Sequence, residues 1–125
     1  MKRRLLTIPG HAHTIECVLY DTLCALWESQ DRGCHFVASY ESLFNGEGRP
    51  PTMGRVHLPR GIVKDIYFYG GLVAHELMHA VLDAGFALNA DKTGDHLADD
   101  TEALCEMMGD LTAQFWRWHR APESI

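Results

Sequence analysis

The feature that most constrains this chain is the pentapeptide His-Glu-Leu-Met-His at residues 75–79. Residues four apart lie on one face of a helix, so His75 and His79 can bind one metal ion together. Imidazole suits zinc, and a catalytic zinc site keeps one position open for water or substrate. Glu76 is then expected to act as general base, accepting a proton from a zinc-activated water. The pentapeptide therefore predicts a helix with Zn²⁺ as its cofactor.

Composition and charge limit the classes to which the chain can belong. Its 125 residues fit a single domain, residues 1–125, which can form a core without disulfides. None of its four cysteines forms a Cys-x-x-Cys pair, which argues against a thiolate zinc finger and favours a cytoplasmic location. No stretch approaches the length of a membrane-spanning helix, so we expect no membrane partner. The formal net charge of −6 argues against nucleic acid as a partner.

Apolar periodicity and turn residues predict an α+β fold. Short apolar or β-branched runs bounded by Gly and Pro predict strands at residues 3–8, 34–40 and 55–58. Residues 13–30 are predicted to form a helix because apolar side chains recur there at helical spacing. The motif helix is expected at residues 72–84.

A last helix is expected from about residue 97 or 99 to residue 118, because acidic residues at its start suit the helix dipole and a long stretch with an apolar stripe follows. Residues 62–69 fit either a strand or the entry to a helix. The predicted architecture is a small mixed β-sheet packed on an N-terminal helix and the motif helix, followed by a C-terminal helix.

Three segments, read in order, resemble a known family. They are residues 53–58 (Met-Gly-Arg-Val-His-Leu), residues 72–82 around the motif, and the acidic stretch at residues 99–106. This order is similar to that of small gluzincin-type metallopeptidases, including phage proteins of the ImmA/IrrE type. The resemblance implies a minimal zincin-like fold and a zinc-dependent metallopeptidase that hydrolyses peptide bonds of a protein or peptide substrate. It also implies a cleft whose lip is residues 55–58 or 62–69, where an extended peptide can pair.

A zinc site of this kind needs a third protein ligand besides the two histidines. The subclass with a third His six residues after the second is excluded, because Gly85 occupies that position. The gluzincin pattern places a Glu on the following helix, and the resemblance assigns this role to Glu102. Glu106, one turn later, would then orient a histidine ligand. His96 is the alternative third ligand.

The last predicted helix carries a second stripe, roughly opposite its apolar one, formed by Glu102, Glu106, Gly109 and Ala113. Either this stripe faces water, or the two small residues let the helix approach the motif helix and bring Glu102 to the metal. The need for a third ligand favours close approach. Residues 115–120 are aromatic and basic, and we interpret them as a helix end whose cations suit its negative pole.

A chain of this length has little material with which to build a substrate cleft. The alternative function is therefore a catalytically weak or inactive zincin-fold metal-binding interaction module, such as a phage or mobile-element accessory protein. A zinc hydrolase also needs a donor for the oxyanion, and His57, Tyr67 and Tyr69 are candidates.

Overall fold

The computed structural model describes residues 1–10, 12–30, 38–43, 51–60, 66–87, 89–90, 95–96 and 101–120. Within these residues the chain forms a four-stranded sheet, a two-stranded sheet and three helices, which confirms the α+β class. The elements in chain order are β1 (Lys2–Thr7), β2 (Thr14–Tyr20), α1 (Leu23–Gln30), β3 (Ser39–Ser42), β4 (Thr52–Pro59), α2 (Ile66–Ala87), β5 (Asn89–Ala90), β6 (Asp95–His96) and α3 (Thr101–Arg120). None of the helices in these ranges has both the length and the apolar character needed to cross a bilayer.

The main sheet has the strand order β1-β2-β4-β3. Strands β2 and β4 run parallel, whereas the β1–β2 and β3–β4 pairs are antiparallel. Gly10 lies in the β1–β2 turn with φ at 75°, a conformation that glycine adopts without steric cost. Since β4 has a neighbour on each side, the expectation that residues 55–58 form an exposed lip is wrong. The outer strand beside β4 is β3.

The predicted N-terminal helix over residues 13–30 is wrong in its first half. Residues 14–20 form β2, an interior strand, because their side chains are needed on both faces of the sheet. Ile15 packs in the larger core and Val18 in the smaller one. A strand buried on both faces reads as a continuous apolar run, which periodicity cannot distinguish from a buried helix. The helix begins only after Thr22, whose Oγ1 accepts a hydrogen bond from the Ala25 amide at 3.0 Å.

Helices cover both faces of the main sheet. Helices α2 and α3 pack on one face and enclose the larger core, whose fully buried members include Leu6, Ile15, Leu58, Leu77, Leu111 and Phe115. The shorter α1 covers part of the opposite face, where Leu26 packs on Val18 and Tyr20. Each sheet face thus has its own apolar contact, and α2 is fixed against the strands along its buried side.

The C-terminal half matches its prediction more closely. Helix α2 begins six residues before the predicted start, and its 22 residues extend past Gly85. Helix α3 ends two residues after the predicted end. The two-residue strands β5 and β6 pair with each other between these helices. Parts of the predicted segments, residues 34–37, 62–65 and 97–100, lie outside the described residues.

Candidate functional site

Helix α2 presents the two motif histidines on its exposed side. His75 and His79 are both exposed, and their Nε2 atoms approach to 3.2 Å. Two nitrogens that bind one tetrahedral zinc ion at about 2.0–2.1 Å lie about 3.3 Å apart. The two rings therefore converge on a common point at the spacing that two ligands of one ion require.

Glu76, the next residue along the helix, is only 5% exposed, and its Oε1 lies 4.0 Å from His75 Nε2. It occupies a position in the buried stripe of α2, between Val73 and Ala80. Its Oε2 atom has no hydrogen-bond partner among the described residues. Burial raises the pKa of the Glu76 carboxyl, and the neighbouring histidines counteract this in part. A buried carboxylate with an unpaired oxygen is costly for a fold, so its presence in a core stripe indicates a function.

An open cavity of about 440 Å³ lies beside this turn. Its walls are formed by Phe68, Gly71, Leu72, His75 and Glu76 of α2 and by Ala38 at the start of β3. The cavity is mainly apolar apart from the two motif residues. A concave apolar site with a few converging polar groups is the usual form of a binding site for a small ligand or a side chain.

Tyr40 of β3 connects the outer strand to the motif. Its ring lies parallel to that of His79, at an interplanar angle of 6° and a centroid distance of 6.2 Å. Its hydroxyl donates a hydrogen bond to Asp83 Oδ2 at 2.6 Å. Burial and the Asp83 carboxylate both raise the pKa of Tyr40, so the phenol stays protonated and keeps donating. Tyr40 thus restrains His79 from the sheet side.

Neither Tyr40 nor Asp83 was a candidate from the sequence. Asp83 follows His79 by four residues, so helical spacing alone was enough to place the two on one face. Tyr40 gave no such signal, because β3 reaches the helix only through the tertiary fold. Its position requires Gly54 of β4, since a Cβ atom there would lie 2.5 Å from Tyr40 Cζ and 2.6 Å from its Cε2.

The structure does not bring Glu102 or Glu106 to the motif. Both side chains are exposed on α3, as are Gly109 and Ala113. A Cβ atom built on Gly109 would meet nothing within 4 Å, so the close approach expected of this stripe is wrong. Helix α3 packs with its apolar stripe instead, and the amphipathic pattern of the helix explains why.

Within the described residues, no three His, Cys, Asp or Glu side chains lie together so that they could hold a metal ion. The side chain of His96, the alternative third ligand, lies outside the described residues. The assignments of Glu102 and His96 as third ligand therefore stay predictions. Among the residues that the structure describes, His75 and His79 are the pair whose nitrogens have the spacing that zinc requires.

The residues considered as oxyanion donors lie elsewhere. His57 is buried on the face of the sheet opposite α2, since its strand neighbours Val56 and Leu58 point into the core beneath that helix. Tyr69 is buried and donates its hydroxyl hydrogen to the Pro59 carbonyl at 2.8 Å. Tyr67 is 89% exposed. None of the three lines the cavity beside Glu76.

Comparisons of the chain with models of known protein families, with curated proteins and with solved structures return no match. The resemblance to small gluzincin-type metallopeptidases of the ImmA/IrrE type is therefore wrong as an identification. The resemblance implies a metal site with three protein ligands, and in the described part of the chain no three-residue metal-binding group forms. What remains is a local helical motif in a small α+β fold.

Proposed function

We propose that this chain is a zinc-dependent hydrolase that cleaves peptide bonds, with His75 and His79 as two zinc ligands and Glu76 as general base. The observation that carries the proposal is the 3.2 Å approach of the two Nε2 atoms next to a buried carboxyl with an unpaired oxygen. An exposed histidine pair alone is compatible with many roles. The adjoining Glu76 carboxylate supports a catalytic role, because its burial destabilises the fold and so calls for a functional explanation.

A peptide substrate is supported by what surrounds the motif. The outer strand of the described main sheet, β3, lies against α2, and an extended peptide can pair with a strand in such a position. Ala38, directly before β3, lines the cavity that also contains Glu76. A peptide pairing along β3 would therefore pass the motif, with an apolar side chain suited to the cavity.

A bound zinc ion supplies Lewis acidity, which lowers the pKa of a water molecule and polarises a carbonyl group. The residues of the chain bind the ion and move the proton. The two Nε2 atoms would be its ligands, and Tyr40, which donates a hydrogen bond to Asp83, lies parallel to the His79 ring. Glu76 would take a proton from the attacking water through Oε1, which lies 4.0 Å from His75 Nε2, and pass it to the leaving amine nitrogen. Because burial raises the pKa of Glu76, its carboxylate is a stronger base than an exposed one.

The substitution Glu76→Gln tests this function, because it keeps the shape of the side chain and removes the base. We expect the variant to bind zinc as the parent does and to lose peptide hydrolysis by at least about 100-fold. Zinc content per chain and cleavage of a fluorogenic peptide library measure the two properties. His57→Gln, on the other side of the sheet, is the control that should keep its activity. Equal cleavage by the Glu76→Gln variant and the parent would exclude the proposed role of Glu76.

The second candidate is a binding module without catalytic activity. The observation that favours it is that the described residues supply two metal ligands and no third. Its expected result is a parent protein that cleaves no member of the peptide library, with zinc or without it. Cleavage that depends on zinc and on Glu76 would rule the module out.

A further inference from the structure

A second cavity, of about 500 Å³, lies at the junction of β1 and α3, remote in the fold from the motif. Its walls include Arg4 and Thr7 of β1 and Asp110, Gln114, Arg117 and Trp118 of α3. Arginines from two different elements, far apart in sequence, thus face one recess. Such convergence is produced by the fold and is invisible in the linear sequence.

The two walls of this cavity are fixed to each other by Gln114. Its Oε1 accepts a hydrogen bond from the Thr7 amide at 2.9 Å, and its Nε2 donates to the Thr7 carbonyl at 2.8 Å. The Gln114 side-chain amide thereby makes the two backbone hydrogen bonds to Thr7 that a neighbouring strand would otherwise make. Gln114 Nε2 also donates a hydrogen bond to the Asp110 carboxylate, so this acidic group has a partner within the protein. Gln114 therefore holds the backbone of β1 against α3 at this cavity.

The Arg4 and Arg117 side chains are exposed, and neither guanidinium has an ion pair or side-chain hydrogen bond in the part of the chain that the structure describes. The neighbouring Arg3 differs, since its Nη1 lies 3.3 Å from Glu16 Oε1. An arginine without a partner presents its full set of planar donors, which match the geometry of a phosphate group. The cavity thus offers two unpaired arginines to an anion.

Basic side chains continue outward from the cavity. Lys2 Nζ lies 5.3 Å from the centre of the Trp118 ring, and Arg120 Cζ lies 5.8 Å from that of Trp116. His119 lies within the electrostatic reach of Lys2, Arg60 and Arg120: burial lowers its pKa, and these three cations lower it further. The basic strip is defined by Lys2, Arg4, Arg60, Arg117 and Arg120. The acidic groups within it are Asp110 and Asp21, the latter 3.5 Å from Arg60.

We propose that the basic strip binds single-stranded nucleic acid, with one backbone phosphate between Arg4 and Arg117 and the next ones along Lys2 and Arg120. Proteins that bind single strands use a positively charged groove that follows the backbone, and the cavity with its flanking cations has this charge pattern. The formal net charge of −6 argues against nucleic acid for the chain as a whole, whereas the strip itself has five cations and two carboxylates. This inference is independent of the proposed hydrolase activity.

The experiment is a titration of a fluorescein-labelled 20-nucleotide single strand, read by fluorescence anisotropy at several salt concentrations. We expect the Arg4→Gln, Arg117→Gln double variant to bind at least about tenfold more weakly than the parent. The slope of log affinity against log salt should also fall by about 1.4, because each lost phosphate contact on a single strand contributes about 0.7. Asp110→Asn, which removes the opposing charge, should bind more tightly.

Arg3→Gln is the matched control, because it removes the same charge from the adjacent position on the other face of β1. It should lower the salt slope by much less than the double variant. Circular dichroism should show that the variants are folded, as expected for exposed positions. The proposal is overturned if the double variant and Arg3→Gln bind alike, or if Asp110→Asn weakens binding. Binding of phosphatidylserine vesicles without binding of the oligonucleotide would also overturn it.

Discussion

Histidines on opposite sides of the main sheet are held in different ways. His75 and His79 lie four residues apart on one exposed helix face, and their Nε2 atoms meet at 3.2 Å. His57 lies in β4, is 3% exposed, and has a separate partner for each ring nitrogen. Its Nδ1 is 2.8 Å from the Tyr20 hydroxyl, and its Nε2 is 3.3 Å from Glu41 Oε2.

The difference separates a structural histidine from a candidate ligand. A ring whose two nitrogens are both engaged by protein groups has no lone pair to offer to a metal ion. The buried His57 therefore ties β2, β3 and β4 together. The motif pair directs two nitrogens toward one point outside the helix and contributes little to the core. The site can consequently be removed without loss of the fold, and the His57 network cannot be removed without loss of stability.

The largest effect that tests this contrast is on zinc affinity. His75→Ala or His79→Ala should lower the affinity for zinc by more than about 100-fold, since even the loss of a supporting contact costs 10- to 100-fold. His57→Gln should leave zinc affinity unchanged and lower the stability of the fold. Competition with a zinc-binding dye measures the first property and urea unfolding the second. If zinc affinity follows His57 instead, the contrast is wrong.

The same assay decides the third ligand. Glu102→Ala and His96→Ala are each tested, and the true ligand is the one whose loss lowers affinity as much as the loss of a motif histidine. Glu102 is exposed on α3, so its substitution should have little effect on stability. A fall in affinity with Glu102→Ala would require α3 to move toward the motif. Unchanged affinity in both variants would exclude both sequence-based assignments.

A smaller effect concerns the contact that restrains His79. Gly54→Ala should destabilise the fold by about 2 kcal/mol, because the new methyl group overlaps the Tyr40 ring. Gly70→Ala is the matched control in α2, where an added Cβ meets nothing within 4 Å. It should stabilise the helix by up to about 1 kcal/mol. Urea unfolding of both variants measures the difference.

A double-mutant cycle shows whether Tyr40 is the cause. The three atoms closest to the added methyl group all belong to Tyr40. In a Tyr40→Ala background, Gly54→Ala should therefore lose most of its cost. Zinc affinity should fall with Tyr40→Ala as well, because the His79 ring loses its restraint. A cost of Gly54→Ala that persists without Tyr40 would mean that the strand itself requires the glycine.

The parts of the fold predicted well are those fixed by local pattern. Helices α2 and α3 are each more than five turns long and bury apolar side chains at helical spacing, and both were placed within a few residues at most boundaries. The prediction for β2 was wrong because its side chains are buried on both faces of the sheet, in two different apolar clusters. A run of this kind contains no local signal that separates a strand from a helix. The tertiary environment decides it.

The candidate site divides in the same way. Helical spacing was sufficient to put His75 and His79 on one face. It was not sufficient for Glu102, because the spacing defines the stripe of α3 to which a residue belongs and not which stripe meets α2. Tyr40 was missed because its contact with Asp83 depends on strand pairing between distant segments. Sequence thus locates ligands that share one helix, and the fold is needed for every partner contributed by another element.

The smallest effect we predict is a difference in pH dependence between the two buried ionisable groups on the two sides of the sheet. Burial lowers the pKa of His57, although Glu41 opposes this, so the unfolded chain binds its proton more readily. The stability that His57 contributes is therefore lost as the pH falls below its unfolded value of about 6.5. Burial raises the pKa of Glu76, so its contribution is lost as the pH rises above 4.5.

The difference in unfolding free energy between variant and parent should therefore change in opposite directions for His57→Gln and Glu76→Gln between pH 5 and pH 7. Urea unfolding with a chelator present measures both differences. The deficit of His57→Gln relative to the parent should shrink at pH 5, where the parent no longer has the benefit of a neutral histidine. Glu76→Gln should gain stability relative to the parent at pH 7, where the parent carries an ionised, buried carboxylate. The direction of each difference between the two pH values, and not its size, is what this experiment tests. Constant differences at both pH values would show that neither group titrates there and that burial has not shifted them.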